Sequence, residues 1–446
     1  MASLHAGVAR REITPPPGVE LCGYGPFLGR AAAGVHDPLW CRALVLEFGG
    51  EPLVLVSCDL IGVLQATTDA VRAAVESELG IGPERVLVAC THTHSGPNTV
   101  RLIGWGEPDE PYRAALAGRI VETIRAAAAD RRPAHLAVGR TVVEGIARNR
   151  VQTDGTGLID PELTVLRVAD ADDRPRAVFF HYGAHPVVMG PRNRLVSGDW
   201  AGDAERRLEE EIGGQAVAAF LNGACGDLNS AVAVTAPTEG WEAVAALGAR
   251  MHGAVAALLP ALRDEAEVPL AAHRTRVDLP LDRPDDAMVA QVMSGYDHSV
   301  AGGDRPHYVT GVASERFERV WAEAMRSWSS RPDGDRLPVE VHAVRIGPLA
   351  LVGVPVELFA RWGFAVKQRS PFRATAVVGY ANDLVGYVAR PSDFDDPGYG
   401  GYAAVKAPKI LGLPPFARHV GEVLVDGCVR ALERVAAPAT APSAKE

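Results

Sequence analysis

The sequence predicts an α/β fold, a single large domain in which mixed β-sheets are flanked by helices. Two apolar runs, Leu53–Ser57 and Arg85–Cys90, have the near-continuous hydrophobicity of strands that are covered on both faces. Residues 66–79 between them carry apolar side chains at helical spacing, and Gly80 is a suitable C-terminal cap. Such a strand–helix–strand unit predicts right-handed parallel pairing of the two strands.

The same patterns continue along the rest of the 446 residues. We predict further strands at 134–143, 162–169, 175–182, 215–221, 338–346, 349–353 and 375–380, and further helices at 111–129, 200–211, 239–262, 356–369 and 416–435. No internal repeat or long linker divides the chain, so residues 1–435 are expected to form one domain. Within it, 283–330 is expected to be a mostly helical insertion or lid. The tail 436–446, rich in Ala, Pro and Ser, is expected to be disordered.

The composition excludes several classes of function. A formal net charge of −10 and the lack of a Lys/Arg run argue against a nucleic-acid partner. No stretch of about 18 uncharged apolar residues is present, so we expect no stable membrane insertion. The start of the chain lacks the pattern of a secretory signal, and the six cysteines form no CxxC pair. We therefore expect reduced thiols and a cytoplasmic location.

The strongest local signal is the motif THTHSGP at 91–97, directly after the predicted strand 85–90. Residues two apart on a strand share a face, so His92 and His94 are expected to point the same way. Ligands bind at the carboxyl ends of strands in open α/β sheets. Two histidines there favour a metal or catalytic role over a structural one.

A second histidine pair follows the predicted strand 175–182, in the motif FHYGAHP at 180–186. The pattern alone leaves open whether His181 or His185 reaches a site. Asp199, at the start of the predicted helix 200–211, has two interpretations of equal weight. It is either an ordinary helix N-cap or a carboxylate that orients a ligand histidine.

Three later segments carry polar groups in apolar or glycine-rich surroundings. The turn NGACGDLN at 222–229 offers Asn222, Asp227 and Asn229. Glu357 lies in an otherwise apolar junction, where it is either a first-turn helix residue or a metal ligand. The stretch GYANDLVGYVA at 379–389 contains two tyrosines, which core packing alone would explain.

Taken in order, these motifs resemble the neutral/alkaline ceramidase family. THTHSGP, GAHP, SGDWAG, NGACGD, GVPVELF and YANDLVGYV all occur in the family's order, and the opening segments EITPP, GYG and VHDPL resemble its N-terminal stretch. The resemblance extends over roughly residues 7 to 405.

The resemblance implies a zinc-dependent amidase that splits the N-acyl bond of ceramide, and the expected partner is accordingly a small-molecule or lipid-like N-acyl substrate. Carried over motif by motif, the zinc ligands are His92, His185, Glu357 and Tyr387, a nitrogen and oxygen set that suits this ion. The resemblance also places His94 beside the catalytic water and Arg150, of the Asn-Arg motif, near the scissile group. On chemical grounds we expect His94 to transfer a proton to the leaving nitrogen, and Arg150 and Asn229 to stabilise the oxyanion.

Two departures from the family pattern bear on the substrate. Asn229 occupies the position of a serine in the family's Gly-Asp-Val-Ser-Pro motif. An amide can donate a hydrogen bond but cannot act as a hydroxyl nucleophile or relay. We also expect no C-terminal immunoglobulin-like domain of the kind that full-length ceramidases carry. We therefore expect low activity on long-chain ceramide and better activity on a smaller amide, ester or lactone; the alternative from another class is a non-catalytic ligand-binding homologue.

Overall fold

The computed structural model describes residues 3–24, 29–233, 237–287 and 311–437. The strands are β1 Leu4–Glu12, β2 Gly34–Val35, β3 Trp40–Phe48, β4 Glu51–Cys58, β5 Val86–Cys90, β6 Arg132–Val142, β7 Ala147–Asn149, β8 Glu162–Asp170, β9 Pro175–Tyr182, β10 Leu195–Val196, β11 Val217–Asn222, β12 Leu228–Ser230, β13 Leu270–Pro280, β14 Arg336–Ile346, β15 Leu349–Gly353, β16 Glu357–Leu358, β17 Ala374–Val378 and β18 Tyr387–Val388. The longer helices are α1 Gln65–Leu79, α2 Glu110–Ala129, α3 Asp199–Ile212, α4 Pro237–Leu258, α5 Gly311–Ser330, α6 Ala360–Arg369 and α7 Val420–Ala436.

The largest sheet of the described chain has eight strands in the order β11-β9-β8-β6-β1-β3-β4-β5. β4 and β5 pair in parallel across α1, as the sequence predicts, and Gly80 ends α1 in the left-handed conformation (φ 67°). β1 and β3, which no sequence pattern had indicated, add an antiparallel pair beside them. A second sheet, in the order β13-β14-β15-β17, is also mixed. The predicted mixed α/β class is therefore confirmed.

The two sheets pack face to face, and helices cover both outer surfaces. Along β3, Leu44 and Leu46 face the second sheet, whereas Ala43 and Val45 face the helices. This alternation follows from the two-residue period of a strand. One outer core lies between the large sheet and α1–α4, and the other lies between the second sheet and α5–α7. The result is a four-layer arrangement, whose sheet-to-sheet contact the sequence patterns did not predict.

The large sheet curves until its first and last strands approach each other, and this curvature creates the site. Ser57 on β4 donates a hydrogen bond to the carbonyl of Phe220 on β11 (2.7 Å). The segment after β17 joins the two ends, because Gly379 N–H donates to Asn222 O (3.0 Å) and Cys90 N–H donates to Tyr380 O (3.2 Å). Residues that follow β5 and β9 are thereby brought together.

Part of the predicted insertion at 283–330 lies outside the described residues, namely 288–310. The described helix α5 packs Trp321 and Met325 into the second outer core and touches the segment 407–411. The last helix, α7, continues to Ala436, the first residue of the predicted tail, and 438–446 lie outside the described residues.

One helical stretch, Gly240–Ala261, is long and apolar enough to cross a membrane by length and composition alone. It contains Glu242 and Arg250, and its Val244 and Met251 pack in the core beneath the large sheet. A single such helix is weak evidence, since core helices pass the same test.

Candidate metal centre

His92 and His185 reach the same point from two different strands. His185 follows β9, and His92 follows β5, which ends two residues earlier at Cys90. The sequence predicted from alternation along a strand that His92 and His94 point the same way, and this reason is wrong because both residues lie beyond the end of β5 at Cys90. The backbone of His92 is left-handed (φ 67°), a conformation that non-glycine residues adopt mainly at turns and functional sites. The rings of His92 and His185 nevertheless lie 4.9 Å apart, centroid to centroid.

Backbone carbonyls fix the tautomer of both rings. Nδ1 of His92 lies 2.6 Å from Ile61 O, and Nδ1 of His185 lies 2.9 Å from the carbonyls of Cys225 and Leu228. A carbonyl only accepts, so each Nδ1 carries the proton and donates. The Nε2 lone pairs are consequently free to bind something else. Burial, with the Arg150 charge, lowers the pKa of His185 to about 3, which keeps this ring neutral.

Both lone pairs face one carboxylate oxygen. Oε2 of Glu357 lies 3.1 Å from Nε2 of His185 and 3.4 Å from Nε2 of His92. His92 Nε2 is buried and has no hydrogen-bond partner among the described residues. Three electron-rich atoms at this spacing repel each other unless a cation lies between them. Donors held at about 2.0–2.1 Å in tetrahedral geometry around zinc lie about 3.3 Å apart, so these residues fit that ion.

Glu357 and Tyr387 are neighbours because the short strands β16 and β18 pair in parallel with these two residues in register. Glu357 is thus a strand residue, and the predicted helix 356–369 begins only at Ala360. The hydroxyl of Tyr387 accepts a hydrogen bond from Arg150 Nη2 (3.2 Å) and lies 3.2 Å from the hydroxyl of Tyr399. One small cavity is lined by all three of Tyr387, Glu357 and His92.

His94 adds a third imidazole beside these ligands. Its ring lies 4.8 Å from the His92 ring and 5.5 Å from the His185 ring, and neither of its nitrogens has a hydrogen-bond partner among the described residues. The donor atoms of the three histidines all lie within 4.8 Å of one another. Burial, followed by the two neighbouring imidazoles, holds the pKa of His94 well below its usual value.

Arg150 is held against the centre by a second pair of short strands, β7 and β12. Its guanidinium donates to Gly226 O (2.7 Å) and to Asn229 Oδ1 (3.0 Å), and its Nη2 lies 3.4 Å from His185 Nε2. Asn229, expected near the reacting atoms, therefore contacts the centre through Arg150.

The remaining candidates lie outside the centre. Nε2 of His181 lies 2.9 Å from Val377 O, so of the two histidines in its motif it is His185 that enters the site. The carboxylate of Asp199 accepts from the N–H groups of Trp200 (2.8 Å), Met189 (3.1 Å) and Val188 (3.2 Å). These contacts fix the loop after His185. The orientation of the imidazole itself comes from backbone carbonyls.

Several residues of the site were not found from the sequence. Tyr399 places its ring 4.2 Å from the Arg150 guanidinium, and Gly23 (φ +106°) packs directly against His94. Each is a common residue type in a turn, and only the fold brings it here. An apolar wall covers the centre and leaves a cavity of about 30 Å³. The wall consists of Leu102, Trp105, Leu384, Ala407, Ile410 and Leu411.

Comparison with known proteins shows that the chain is similar to members of one family. Residues 4–242 match the family described as neutral/alkaline non-lysosomal ceramidase, N-terminal. The neutral ceramidase of Pseudomonas aeruginosa is 31% identical over 245 residues, which are 50% of this chain and 36% of that protein. The neutral ceramidase of Mycobacterium tuberculosis is 28% identical over 217 residues, 44% of this chain and 34% of that protein. The matched stretch thus spans about a third of the length of these relatives.

Solved structures extend the likeness in fold to nearly the whole chain. The crystal structure of the Pseudomonas aeruginosa neutral ceramidase superposes with a TM-score of 0.74 at 22% identity, covering 99% of this chain and 76% of that one. A structure described as ceramidase complexed with C2 gives 0.73 at 21% identity, covering 99% and 78%. With its family match over more than half of its length, the chain belongs to the neutral/alkaline non-lysosomal ceramidase family.

Proposed function

We propose that the chain is a zinc-dependent hydrolase that cleaves the amide bond of an N-acyl compound. The observation that carries this proposal is the convergence of two imidazole lone pairs on Glu357 Oε2, at 3.1 and 3.4 Å. His92, His185 and Glu357 would hold the ion, and Tyr387 would be the fourth ligand. Zinc bound there would supply a water whose pKa falls from about 15.7 toward roughly 7 and would polarise the scissile carbonyl.

Arg150 supplies a fixed positive charge where the carbonyl oxygen becomes negative. Its Nη2 lies between His185 Nε2 and the Tyr387 hydroxyl, at 3.4 and 3.2 Å. The contacts with Gly226 O and Asn229 hold the guanidinium in this direction before any substrate binds. Preorganised donors of this kind stabilise the transition state without reorganisation. Asn229 therefore acts as a positioning residue for Arg150.

His94 is the group that moves a proton. Its nitrogens have no partner in the described chain, so one of them can accept a proton from the attacking water. The same nitrogen can then pass that proton to the leaving nitrogen of the amide. Proton transfer by a positioned group contributes typically about 10²–10⁴-fold to the rate.

The wall of the cavity favours an apolar acyl chain. Leu102, Trp105 and Leu384 line the space next to His92 and His94, and Ile410 and Leu411 close it. A lipid-like N-acyl substrate suits these surfaces, and the two relatives compared above are neutral ceramidases. A second candidate, a smaller amide, ester or lactone, is favoured by the small volume of this cavity, about 30 Å³, which leaves little room for a long acyl chain.

A substrate panel with matched metal analysis tests the proposal. Protein purified without chelators is assayed on a short-chain ceramide, N-acyl amino acids and simple lactones, before and after zinc removal and zinc return. We expect amide cleavage that is lost with the metal and restored with it. A kcat/KM highest for ceramide selects the lipid substrate, and one highest for the small compounds selects the second candidate. Full activity without metal would contradict the mechanism.

A further inference from the structure

Beneath the candidate ligands lies a buried polar cluster formed by Asn222, Cys225 and Tyr380. All three side chains are enclosed, and the proposed roles of His94 and Arg150 do not involve them. We infer that Tyr380, anchored by Cys225, is the positioning residue that sets the ring plane of His92 for metal binding. This inference rests on the proposed zinc centre and concerns the residues that orient its ligands.

The ring of Tyr380 stacks on the ring of His92. The centroids lie 3.9 Å apart and the planes differ by 20°. The hydrogen bond from Nδ1 to Ile61 O fixes one direction of the imidazole but leaves rotation about that line possible. A flat surface against the ring face removes this rotation, so the Nε2 lone pair stays directed at Glu357.

The hydroxyl of Tyr380 is itself anchored. It lies 3.1 Å from Cys225 Sγ, and this thiol donates to Asn222 Oδ1 (3.3 Å). The amide of Asn222 in turn donates to the carbonyl of Thr91 (3.0 Å), the residue before His92. The contacts form a closed loop from the His92 ring through three side chains back to the His92 backbone.

The same cluster also touches the second ligand. The backbone carbonyl of Cys225 is one of the two acceptors that hold Nδ1 of His185. One short turn, 222–225, is therefore coupled to both imidazoles.

Backbone conformation gives an independent sign that these positions are constrained. His92 and Tyr380 both have left-handed backbones, with φ of 67° and 55°. Non-glycine residues keep this conformation only where the surroundings enforce it, and such residues cluster at functional sites. The hydrogen bonds from His92 N–H to Leu60 O (2.9 Å) and from Cys90 N–H to Tyr380 O (3.2 Å) hold both segments in place.

The test measures zinc affinity by competition with a chromophoric chelator, using zinc alone as the probe. Tyr380→Leu removes the stacking surface and is expected to weaken zinc binding by about 10–100-fold, the usual loss when a group that orients a metal ligand is removed. Tyr380→Phe removes the hydroxyl–thiol contact, and Cys225→Ala removes it together with the contact between the thiol and Asn222. Each is expected to weaken binding about 3–10-fold, the usual size of the loss of a buried hydrogen bond. The double variant should bind zinc no more weakly than Cys225→Ala alone, since Cys225→Ala already removes the contact that Tyr380→Phe removes. Cys225→Ser keeps a hydrogen-bonding group and should restore binding.

Tyr182→Phe is the matched control. Tyr182 is an equally buried tyrosine whose hydroxyl donates to Val143 O (3.0 Å), away from the histidines. Loss of this hydroxyl in Tyr182→Phe should lower the melting temperature of the metal-free protein and leave its zinc affinity unchanged. A merely structural role for Tyr380 would give this same result.

The outcomes separate the inference from the proposed function. A folded Tyr380→Leu protein that binds zinc as tightly as the unmodified chain overturns the positioning role and leaves the zinc centre standing. If that variant does not fold, additive losses in Tyr380→Phe and Cys225→Ala overturn it instead. An unmodified chain that binds no zinc overturns both the inference and the proposed function.

Discussion

At the scale of single residues, the separation of His181 from His185 illustrates how four positions change the role of one residue type. His181 is the penultimate residue of β9 and is held by Val377 O in the layer between the sheets. His185 lies beyond the strand end, where the curved sheet brings it to His92. Sequence patterns located both histidines but left the choice open, because a turn after a strand hides which side chain faces the cavity.

This difference predicts opposite results for two similar substitutions. His185→Ala should abolish stoichiometric zinc binding, since it removes one of the converging lone pairs. His181→Ala should retain the metal and lose stability, because it deletes a buried hydrogen bond worth about 0.5–1.5 kcal/mol together with its packing. Elemental analysis and thermal melts of both variants check this. Loss of zinc in His181→Ala with retention in His185→Ala would reverse the assignment.

Arg150 is expected to act on the reaction and not on metal retention. Arg150→Ala should lower kcat/KM by about 10²–10³-fold, the usual loss when a preorganised transition-state donor is removed. Zinc content should stay near one per chain, because Arg150 is not one of the four proposed ligands. Asn229→Ala, which frees one end of Arg150, should give a smaller loss of the same kind. Unchanged rates in Arg150→Ala would make the arginine an ordinary structural group.

At the scale of elements, the turn that contains Gly23 shapes the pocket of His94. A Cβ added at Gly23 would lie 2.4 Å from His94 Cγ, and the backbone there (φ +106°) disfavours any other residue. Gly23→Ala should therefore displace the His94 ring and lower kcat. The proposed ligands, His92, His185 and Glu357, should still bind zinc. Gly18→Ala is a useful control, because Gly18 also has a positive φ but meets open space. Equal activity losses in the two variants would indicate a general backbone effect.

A buried cluster joins α1 to β14 and predicts a pH dependence of stability. His342 donates through Nε2 to Glu84 O (2.7 Å), while its Nδ1 accepts from Arg72 (3.3 Å) and Asn382 (3.2 Å). A second proton would have to sit on Nδ1, facing these two donors. Burial, followed by the Arg72 charge and only partly offset by Glu340, lowers the pKa of His342 to about 4.

Neutral His342 contributes its full stabilisation of the fold above about pH 6.5, the pKa of histidine in the unfolded chain. This contribution is lost as the pH falls toward 4, because in that range His342 takes up a proton in the unfolded chain but not in the folded one. The expected loss is roughly 3 kcal/mol. Denaturant melts of metal-free protein at pH 7 and pH 4.5, compared with His342→Gln, measure it. The substituted protein should show a flatter pH profile. Parallel profiles for the two proteins would contradict this role for His342.

At the scale of the whole molecule, patterns in the sequence predicted the helices and strands that neighbouring residues form. They did not predict how strands distant in sequence pair. The strand–helix–strand unit at 53–90 follows directly from hydrophobic periodicity. The pairing of β16 with β18 and the contact of β11 with the far end of its sheet join residues that are distant in sequence. Glu357 was therefore predicted from the resemblance and its chemistry, whereas Tyr399, a tyrosine in a glycine-rich turn, carried no signal until folding placed it over Arg150.

The most direct test of the metal centre is anomalous diffraction from crystals of protein purified without chelators, recorded on both sides of the zinc absorption edge. We expect one zinc peak per chain, about 2.0–2.2 Å from His92 Nε2, His185 Nε2 and Glu357 Oε2. Elemental analysis of the same preparation should give close to one zinc per chain. A crystal grown with zinc in which these three atoms bind no ion, or in which the ion lies elsewhere, would contradict the assignment.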